Sequence, residues 1–214
     1  MRNPTDWNKY WDNPDAFILK YFFHRHQFKA LADLLKNINF KDPIEILEFG
    51  SGSGAEAKWL CQRFKVKKIT CIDSNDNMLN LSRKILANVQ CEVDLLNLDF
   101  FNYESDKQYD IVYSGGVIEH FEPEKRYELL KKHCSATRPD GFCLLYFPTP
   151  TKSYWFFRKI YEILGIWIFT DEVPLEADVV IEEMKSLNFN AIKSNIFWKH
   201  FLTEAGIIFK RNPH

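Results

Sequence analysis

The chain has 214 residues, of which 46% are hydrophobic and 16% aromatic, and its 28 Lys and Arg nearly balance 29 Asp and Glu. This composition suits a globular domain with a substantial core and excludes a disordered chain, and the balanced charge gives no support to a long nucleic-acid track. The N-terminus has no apolar signal-peptide region, and the apolar window at residues 160–169 is about half the length of a membrane span. We therefore expect a cytoplasmic protein without a transmembrane segment.

The five cysteines show no disulfide or metal-binding pattern. They are odd in number, fall inside predicted helices or strands, and have no C-x-x-C spacing. We therefore expect free thiols in a reducing compartment, rather than a disulfide framework or a zinc site.

Helices and strands alternate along most of the chain. Residues 16–38 carry apolar residues at helical spacing, which predicts one long helix or two short ones. Five short apolar strands are predicted at residues 44–50, 67–73, 109–115 and 142–148 and within residues 89–101. Helices are predicted between them at residues 55–64, 75–87 and 123–136, and the Arg-Pro-Asp-Gly segment at residues 138–141 predicts a turn.

The pattern changes after Pro150. Residues 151–169 are bulky, aromatic and predicted to be helical, residues 175–189 form another predicted helix, and residues 190–198 and 205–211 are candidate closing strands. Strands that alternate with helices and are apolar on both faces predict an α/β fold with a seven-stranded, mainly parallel sheet and helices on both faces. The chain contains no internal repeat or linker, so we expect a single domain over residues 1–214.

A glycine-rich loop follows the first strand in the segment Leu-Glu-Phe-Gly-Ser-Gly-Ser-Gly, residues 47–54. Glycines between a strand and a helix allow a tight turn and a close approach of ligand to backbone. Gly50, Gly52 and Ala55 also fit the dinucleotide fingerprint, and a glycine turn without a ligand is a further alternative. Glu48 lies two positions before the first glycine, and an acid there suits a ligand with a cationic end better than a pyrophosphate.

A second acid, Asp73, closes the second strand. Its carboxylate can accept hydrogen bonds from both hydroxyls of a ribose at the sheet edge. It could instead cap the next helix, although Ser74 or Asn75 can do so as well. Met78, on that helix, could pack in the core or flank an adenine.

Five segments in this order resemble the class I S-adenosylmethionine-dependent methyltransferases. They are LEFGSGSG, CIDSNDNML, LLNLDFF, YDIVYSGGVIEHF and RPDGFCLLYFPTP. The resemblance extends from about residue 44 to residue 150 and is to the small-molecule branch with G-V-x-E-H after strand four. It implies a Rossmann-like fold with residues 1–43 as an N-terminal helical lid, residues 44–150 as the cofactor-binding half, and residues 151–214 as an aromatic-rich helical insertion and closing strands on the substrate side.

The resemblance also implies a set of residues that bind S-adenosyl-L-methionine. Asp73 would bind the ribose, and Asp99, with Asp94 as its rival, would accept the adenine amine. The chain lacks the Leu-Pro-Phe that commonly follows this acid in the branch. The full set is Glu48, Gly50, Ser51, Gly52, Gly54, Asp73, Ser74, Met78, Asp99, Phe100, Ser114 and Gly115.

Methyl transfer from a sulfonium needs an acceptor held in line, exclusion of water and, for some acceptors, removal of a proton. His120 and Glu119 are the candidate catalytic residues. His120 has a suitable pKa range for a general base, but it could equally orient its own loop. No metal is required, and we expect none. His24 and His26 are weaker candidates on the N-terminal helix.

An aromatic cluster follows the fifth strand. Its members could form an apolar wall around an acceptor, pack as core, or contact a membrane surface or a second subunit. The cluster comprises Tyr154, Trp155, Phe156, Phe157, Trp167 and Phe169, with Trp7, Tyr10 and Trp11 from the N-terminus.

We therefore expect a methyltransferase that acts on oxygen or nitrogen of a small molecule, with a sugar-containing or partly apolar metabolite as the preferred acceptor. The alternatives are a catalytically inactive cofactor-binding subunit with a regulatory or assembly role and a methyltransferase of protein or RNA. The sequence indicates no nucleic-acid partner, and it leaves a monomer and a homodimer open.

Overall fold

The computed structural model describes residues 5–7, 28–29, 31–40, 43–104, 106–199 and 202–212. Of the predicted N-terminal helix, residues 28–29 and 31–35 are helical. The rest of that prediction lies outside the described residues, including His24 and His26, and so do Tyr10 and Trp11. Among the described helices, none has the length and apolar character that a membrane crossing requires.

Seven strands form one sheet in the order β3-β2-β1-β4-β5-β7-β6, in which β7 is antiparallel to both of its neighbours and the other pairings are parallel. The predicted α/β fold with a mainly parallel seven-stranded sheet is thus confirmed. The strands are β1 (Ile44–Phe49), β2 (Val66–Asp73), β3 (Glu92–Asn97), β4 (Tyr109–Gly115), β5 (Thr137–Pro148), β6 (Phe189–Lys199) and β7 (Leu202–Arg211).

Helices cover both faces of this sheet. Along β1, Ile46 packs with the N-terminal helical segment and the helix after the glycine loop, whereas Leu47 belongs to a cluster on the opposite face. This alternation buries β1 on both sides, which accounts for its nearly continuous apolar sequence. The helices are α1 (Ala55–Arg63), α2 (Asp76–Ile85), α3 (Pro123–Ala136), α4 (Lys152–Ile163) and α5 (Ala177–Ser186).

Two boundaries differ from the sequence prediction by more than three residues. The segment at residues 138–141 is a bulge inside β5 rather than a turn before it, because Thr137 already pairs with Tyr109 and the next pair is Phe142 with Ile111. Helix α4 ends at Ile163 instead of continuing to residue 169. Gly165, with φ of 68°, reverses the chain, so the aromatic residues that follow return toward the sheet.

The fold places the candidate site at the carboxyl ends of β1, β2 and β4. In the sheet, β1 lies between β2 and β4. The chain continues from β1 to β2 on one side, and β4 lies on the other side. Such a switch point leaves a crevice outside the strand ends, where open α/β sheets bind their ligands.

Candidate active site

One cavity of about 440 Å³ lies at this switch point. Its volume falls in the range of small-molecule sites. The glycine loop and β2 border one end, and the loop after β4, the segment after α4 and the start of β7 border the other. The predicted residues that line it are Gly50, Ser51, Gly52, Asp73, Ser74, Met78, Phe100, Gly115, Glu119 and His120.

The glycine loop is tied to the end of β2 through Asp73. Gly50, Gly52 and Gly54 have φ of 72°, 50° and 71°, so this loop uses a backbone conformation that other residues rarely adopt. One carboxylate oxygen of Asp73 accepts the Gly52 N–H at 2.7 Å and the other accepts the Asn75 N–H at 2.9 Å. Burial raises the pKa of Asp73, which these two backbone hydrogen bonds partly oppose.

Helix α2 has its own cap and does not need Asp73 for that purpose. The Asn75 side-chain oxygen accepts the N–H groups of Asn77 and Met78 at 3.0 and 3.3 Å. Of the two predicted capping residues, Asn75 therefore fills the position. The Asp73 carboxylate faces the cavity with lone pairs left for a ligand hydroxyl.

Ser51 lines the same end of the cavity and carries a buried hydroxyl. Its side-chain oxygen is inaccessible to solvent and makes no hydrogen bond with the described residues. A buried polar atom without a partner costs about 1–3 kcal/mol, so such an atom on a cavity wall favours a polar ligand there. Together with Asp73, it gives this end of the cavity the acceptor and donor groups that a nucleoside-linked amino acid would use.

Glu48 and Gly54 lie behind the loop rather than on the cavity wall. Glu48 is 2% exposed at the end of β1, 3.6 Å from the Cys71 thiol, and burial raises its pKa well above the usual range. Gly54 caps α1, and a β-carbon there would lie 3.0 Å from the Ser82 hydroxyl and 3.2 Å from Leu86. Gly54 therefore lets α1 and α2 pack closely, and direct ligand contact by either residue stays a prediction.

Asp99 and Asp94 also lie outside the cavity lining. The exposed Asp99 accepts the Phe101 N–H at 2.9 Å and caps a short 3-10 turn, which places Phe100 against the cavity. Asp94 lies in the middle of β3 and pairs with Lys68 at 2.6 Å. Asp99 is thus nearer the strand end that borders the site, although its role at an adenine stays a prediction.

Ser114 supports the cavity from behind. Its hydroxyl donates to Nε2 of the buried His133 at 2.9 Å, because Nδ1 of that ring donates to the Leu129 carbonyl. Burial lowers the pKa of His133 to about 4, so the ring is neutral. Ser114 therefore joins β4 to α3, and Gly115 is the residue of this pair that reaches the cavity.

His120 is held by an acid that the sequence analysis did not identify. Its Nδ1 lies 2.7 Å from Asp171, whose carboxylate also accepts the backbone N–H of Thr5 at 3.0 Å and the Thr5 hydroxyl. Burial opposes protonation of His120, but the Asp171 hydrogen bond and neighbouring carboxylates outweigh it and raise the pKa of the imidazole. With Nδ1 bound to Asp171, Nε2 is free to exchange a proton with a ligand.

Glu119 is 1% exposed and lines the cavity beside His120. Burial raises its pKa to about 8, an effect that His120 partly opposes and Glu172 reinforces. One of its carboxyl oxygens lies 4.0 Å from His120 Nε2, and the other makes no hydrogen bond with the described residues. In the absence of a ligand, Glu119 is therefore mainly a neutral acid at pH 7.

Four lining acids were missed by the sequence analysis: Glu56, Asp171, Glu172 and Glu204. Asp171 and Glu172 are adjacent charges between an apolar segment and Pro174, a signal that could have suggested a site. Glu204 lies on β7, where its antiparallel pairing brings it opposite Pro148. Only the sheet order places it near His120, so no local pattern could have identified it.

The aromatic cluster divides into lining and exposed members. Trp7, Tyr154 and Phe169 line the cavity, and the Trp7 ring meets the His120 ring edge-on at 5.0 Å between centroids. Trp155 and Phe156 are 50% and 63% exposed instead. The interpretation as an apolar wall thus applies to three residues, two of which come from outside α4.

A divalent metal could be held in one corner of the cavity. Ligand atoms of Glu119, His120 and Glu172 all lie within 4.8 Å of one another. This donor set of two carboxylates and an imidazole suits several divalent ions. The expectation that no metal takes part therefore stays a prediction.

Comparisons with known proteins agree with this architecture. Residues 46–141 match a family model described as a methyltransferase domain. Malonyl-[acyl-carrier protein] O-methyltransferase of Priestia megaterium is 29% identical over 140 residues, covering 59% of this chain and 50% of that protein. Ubiquinone biosynthesis O-methyltransferase of Rickettsia prowazekii is 26% identical over 211 residues, covering 90% and 79%.

A solved structure resembles nearly the whole chain. Magnesium protoporphyrin IX methyltransferase from Synechocystis PCC 6803, crystallised with bound S-adenosylhomocysteine, superposes with a TM-score of 0.73 at 14% identity, over 96% of this chain and 93% of that one. At this identity the likeness concerns the fold. The range of the family match includes the glycine loop that lines one end of the cavity.

Proposed function

Because this chain belongs to the class I S-adenosylmethionine-dependent methyltransferases, we propose that it transfers a methyl group to oxygen or nitrogen of a small molecule bound beside His120. The observation that carries this proposal is a single cavity that joins the glycine loop to His120 and Glu119. The cofactor of this family supplies an electrophilic methyl group on a sulfonium.

The residues at one end of the cavity fit that cofactor. The Ser51 hydroxyl lacks a partner among the described residues, Asp73 has carboxylate lone pairs for hydroxyl groups, and Met78 and Phe100 offer apolar surface. We assign these residues to cofactor binding, together with the backbone of Gly50 and Gly52.

The residues at the other end would position the acceptor and handle its proton. Trp7, Tyr154 and Phe169 would hold an apolar portion of the acceptor and exclude water. His120 would take a proton at Nε2, with Asp171 stabilising the imidazolium that forms. If His120 only orients its loop, the acid limb of the pH–rate profile should not report the pKa of a histidine.

Open access to the acceptor end favours an enzyme over an inactive cofactor-binding subunit. Gly115, Gly116, Glu119 and His120 all line the cavity, so no side chain of the described residues closes it off from the glycine loop. A protein or RNA acceptor would be favoured by a basic docking surface or an extended groove. Our proposal of a small-molecule acceptor rests on neither feature.

The test is a screen of small-molecule acceptors for formation of S-adenosylhomocysteine. At least one acceptor should raise its formation above the acceptor-free rate, and Asp73→Ala should abolish the increase. Glu124→Gln, a change on the exposed face of α3, is the matched control and should retain it. Binding of S-adenosylmethionine without turnover on any acceptor in the screen would favour the inactive subunit.

A further inference from the structure

The acceptor end of the cavity is acidic. Four carboxylates line it, and the described lining residues include no lysine and no arginine. Arg158 lies behind this wall, where it donates to the Tyr154 hydroxyl at 3.0 Å and to the Glu172 backbone carbonyl at 3.1 Å. The four acids are Glu119, Asp171, Glu172 and Glu204.

These acids differ in how their charge is already compensated. Asp171 is paired with His120 and Thr5, and one oxygen of Glu172 accepts the Tyr154 hydroxyl. Glu119 also lines the cavity, and its second carboxyl oxygen is buried and has no hydrogen-bond partner among the described residues. A hydrogen-bond donor on the ligand would satisfy this buried oxygen.

Aromatic faces complete the same corner. Trp7 and Phe169 lie next to His120, with their ring centroids 5.0 and 6.3 Å from the imidazole, and the buried Tyr154 lines the wall beside Glu172. Aromatic faces attract cations through their quadrupole, most strongly where water is excluded. Carboxylates and aromatic rings that converge on one space are complementary to an ammonium group.

The same surroundings disfavour an anionic acceptor. A carboxylate or phenolate placed beside the buried Glu172 and Glu204 would meet like charges at short range. A neutral hydroxyl would satisfy Glu119 but would gain nothing from the charge of the wall. The electrostatics of the cavity therefore favour binding of an amine most, of an alcohol less and of a carboxylate least.

We propose that the acceptor carries a cationic amine, which the cavity binds between Glu119, Glu172 and the aromatic rings of Trp7 and Phe169. This inference rests on the proposed function and narrows its acceptor class.

The test compares three probes of similar shape that differ in charge. 2-Phenylethylamine, 2-phenylethanol and 3-phenylpropionate are titrated into the full chain by calorimetry, each in the presence of saturating S-adenosylhomocysteine. The amine should bind at least tenfold more tightly than the alcohol, and the carboxylate should bind more weakly than both. Equal affinity of amine and alcohol, or preference for the carboxylate, would overturn the inference.

Variants locate the effect within the site. Both Glu119→Gln and Glu172→Gln should reduce the preference for the amine. Glu124→Gln should leave that preference unchanged. Binding of magnesium chloride to the site without measurable binding of the amine would overturn the inference in favour of a divalent cation.

The outcomes separate this inference from the proposed function. The comparison of probes measures binding and needs no turnover. A protein that binds S-adenosylhomocysteine and methylates only acceptors without an amine would retain the function and lose the inference. A protein that binds neither S-adenosylmethionine nor S-adenosylhomocysteine would lose the function first.

Discussion

Replacing Glu119 by glutamine should change how folding stability depends on pH. The pKa of Glu119 is raised from 4.5 to about 8 because the carboxyl is buried. In the unfolded chain Glu119 ionises at its ordinary pKa, so ionisation favours unfolding between pH 4.5 and pH 8. The resulting loss of folding free energy is absent below pH 4.5 and fully developed above pH 8.

The size of this effect follows from the two pKa values. Each tenfold change in proton affinity corresponds to about 1.4 kcal/mol, so between about pH 5 and pH 9 the wild type should lose about 4 kcal/mol relative to Glu119→Gln. Glutamine does not ionise, and its own packing cost is constant with pH. Other titrating groups are shared by the two proteins and largely cancel in the difference.

The assay is urea unfolding of both proteins at several pH values without ligand. The difference in free energy of unfolding should move in favour of Glu119→Gln as pH rises, with most of the change complete by about pH 8.5. Parallel stability curves, with a change of less than about 1 kcal/mol, would refute the conclusion that Glu119 is a buried neutral acid.

Asp171→Asn should lower the pKa of His120, because the Asp171 carboxylate is the hydrogen-bond partner that raises that pKa. If His120 acts as a base, the acid limb of the kcat–pH profile should shift to lower pH. An unshifted acid limb would indicate that His120 only orients its loop. Gly54→Ala should destabilise the fold more than Gly165→Ala, by about 1–3 kcal/mol in urea unfolding. Both glycines have positive φ, at 71° and 68°, but only at Gly54 would a β-carbon meet neighbours, with the Ser82 hydroxyl at 3.0 Å. Equal losses would contradict the packing role of Gly54.

The strands of the sheet could be predicted from sequence because each is specified by the residues of its own segment. Strands such as β1 carry apolar residues on both faces, and Pro123 occupies the first turn of α3 as predicted. The end of α4 was predicted wrongly because apolar residues at helical spacing continue through residue 169. A single glycine, Gly165, outweighs that pattern and returns Phe169 to the cavity.

The two ends of the cavity differed in how far sequence could define them. The end that we propose for the cofactor depends on a loop and on the ends of consecutive strands that are neighbours in the sheet. Sequence therefore predicted Ser51, Asp73 and Phe100, which line the cavity, and their role in cofactor binding stays a prediction. The acceptor end depends on side chains brought together over long separations. Thr5 contacts Asp171 across 166 positions, and Glu204 arrives through β7, so composition and spacing carried no signal for them.

Calorimetric titration with S-adenosylmethionine tests the central claim most directly. The wild type should bind one equivalent, and Asp73→Ala should weaken binding by at least about tenfold, because hydrogen bonds to a charged carboxylate contribute about 1.5–3 kcal/mol each. Asp94→Ala, which removes the rival acid paired with Lys68 outside the cavity, should bind as the wild type does. Absence of binding at high cofactor concentration, or unchanged affinity in Asp73→Ala, would contradict the account.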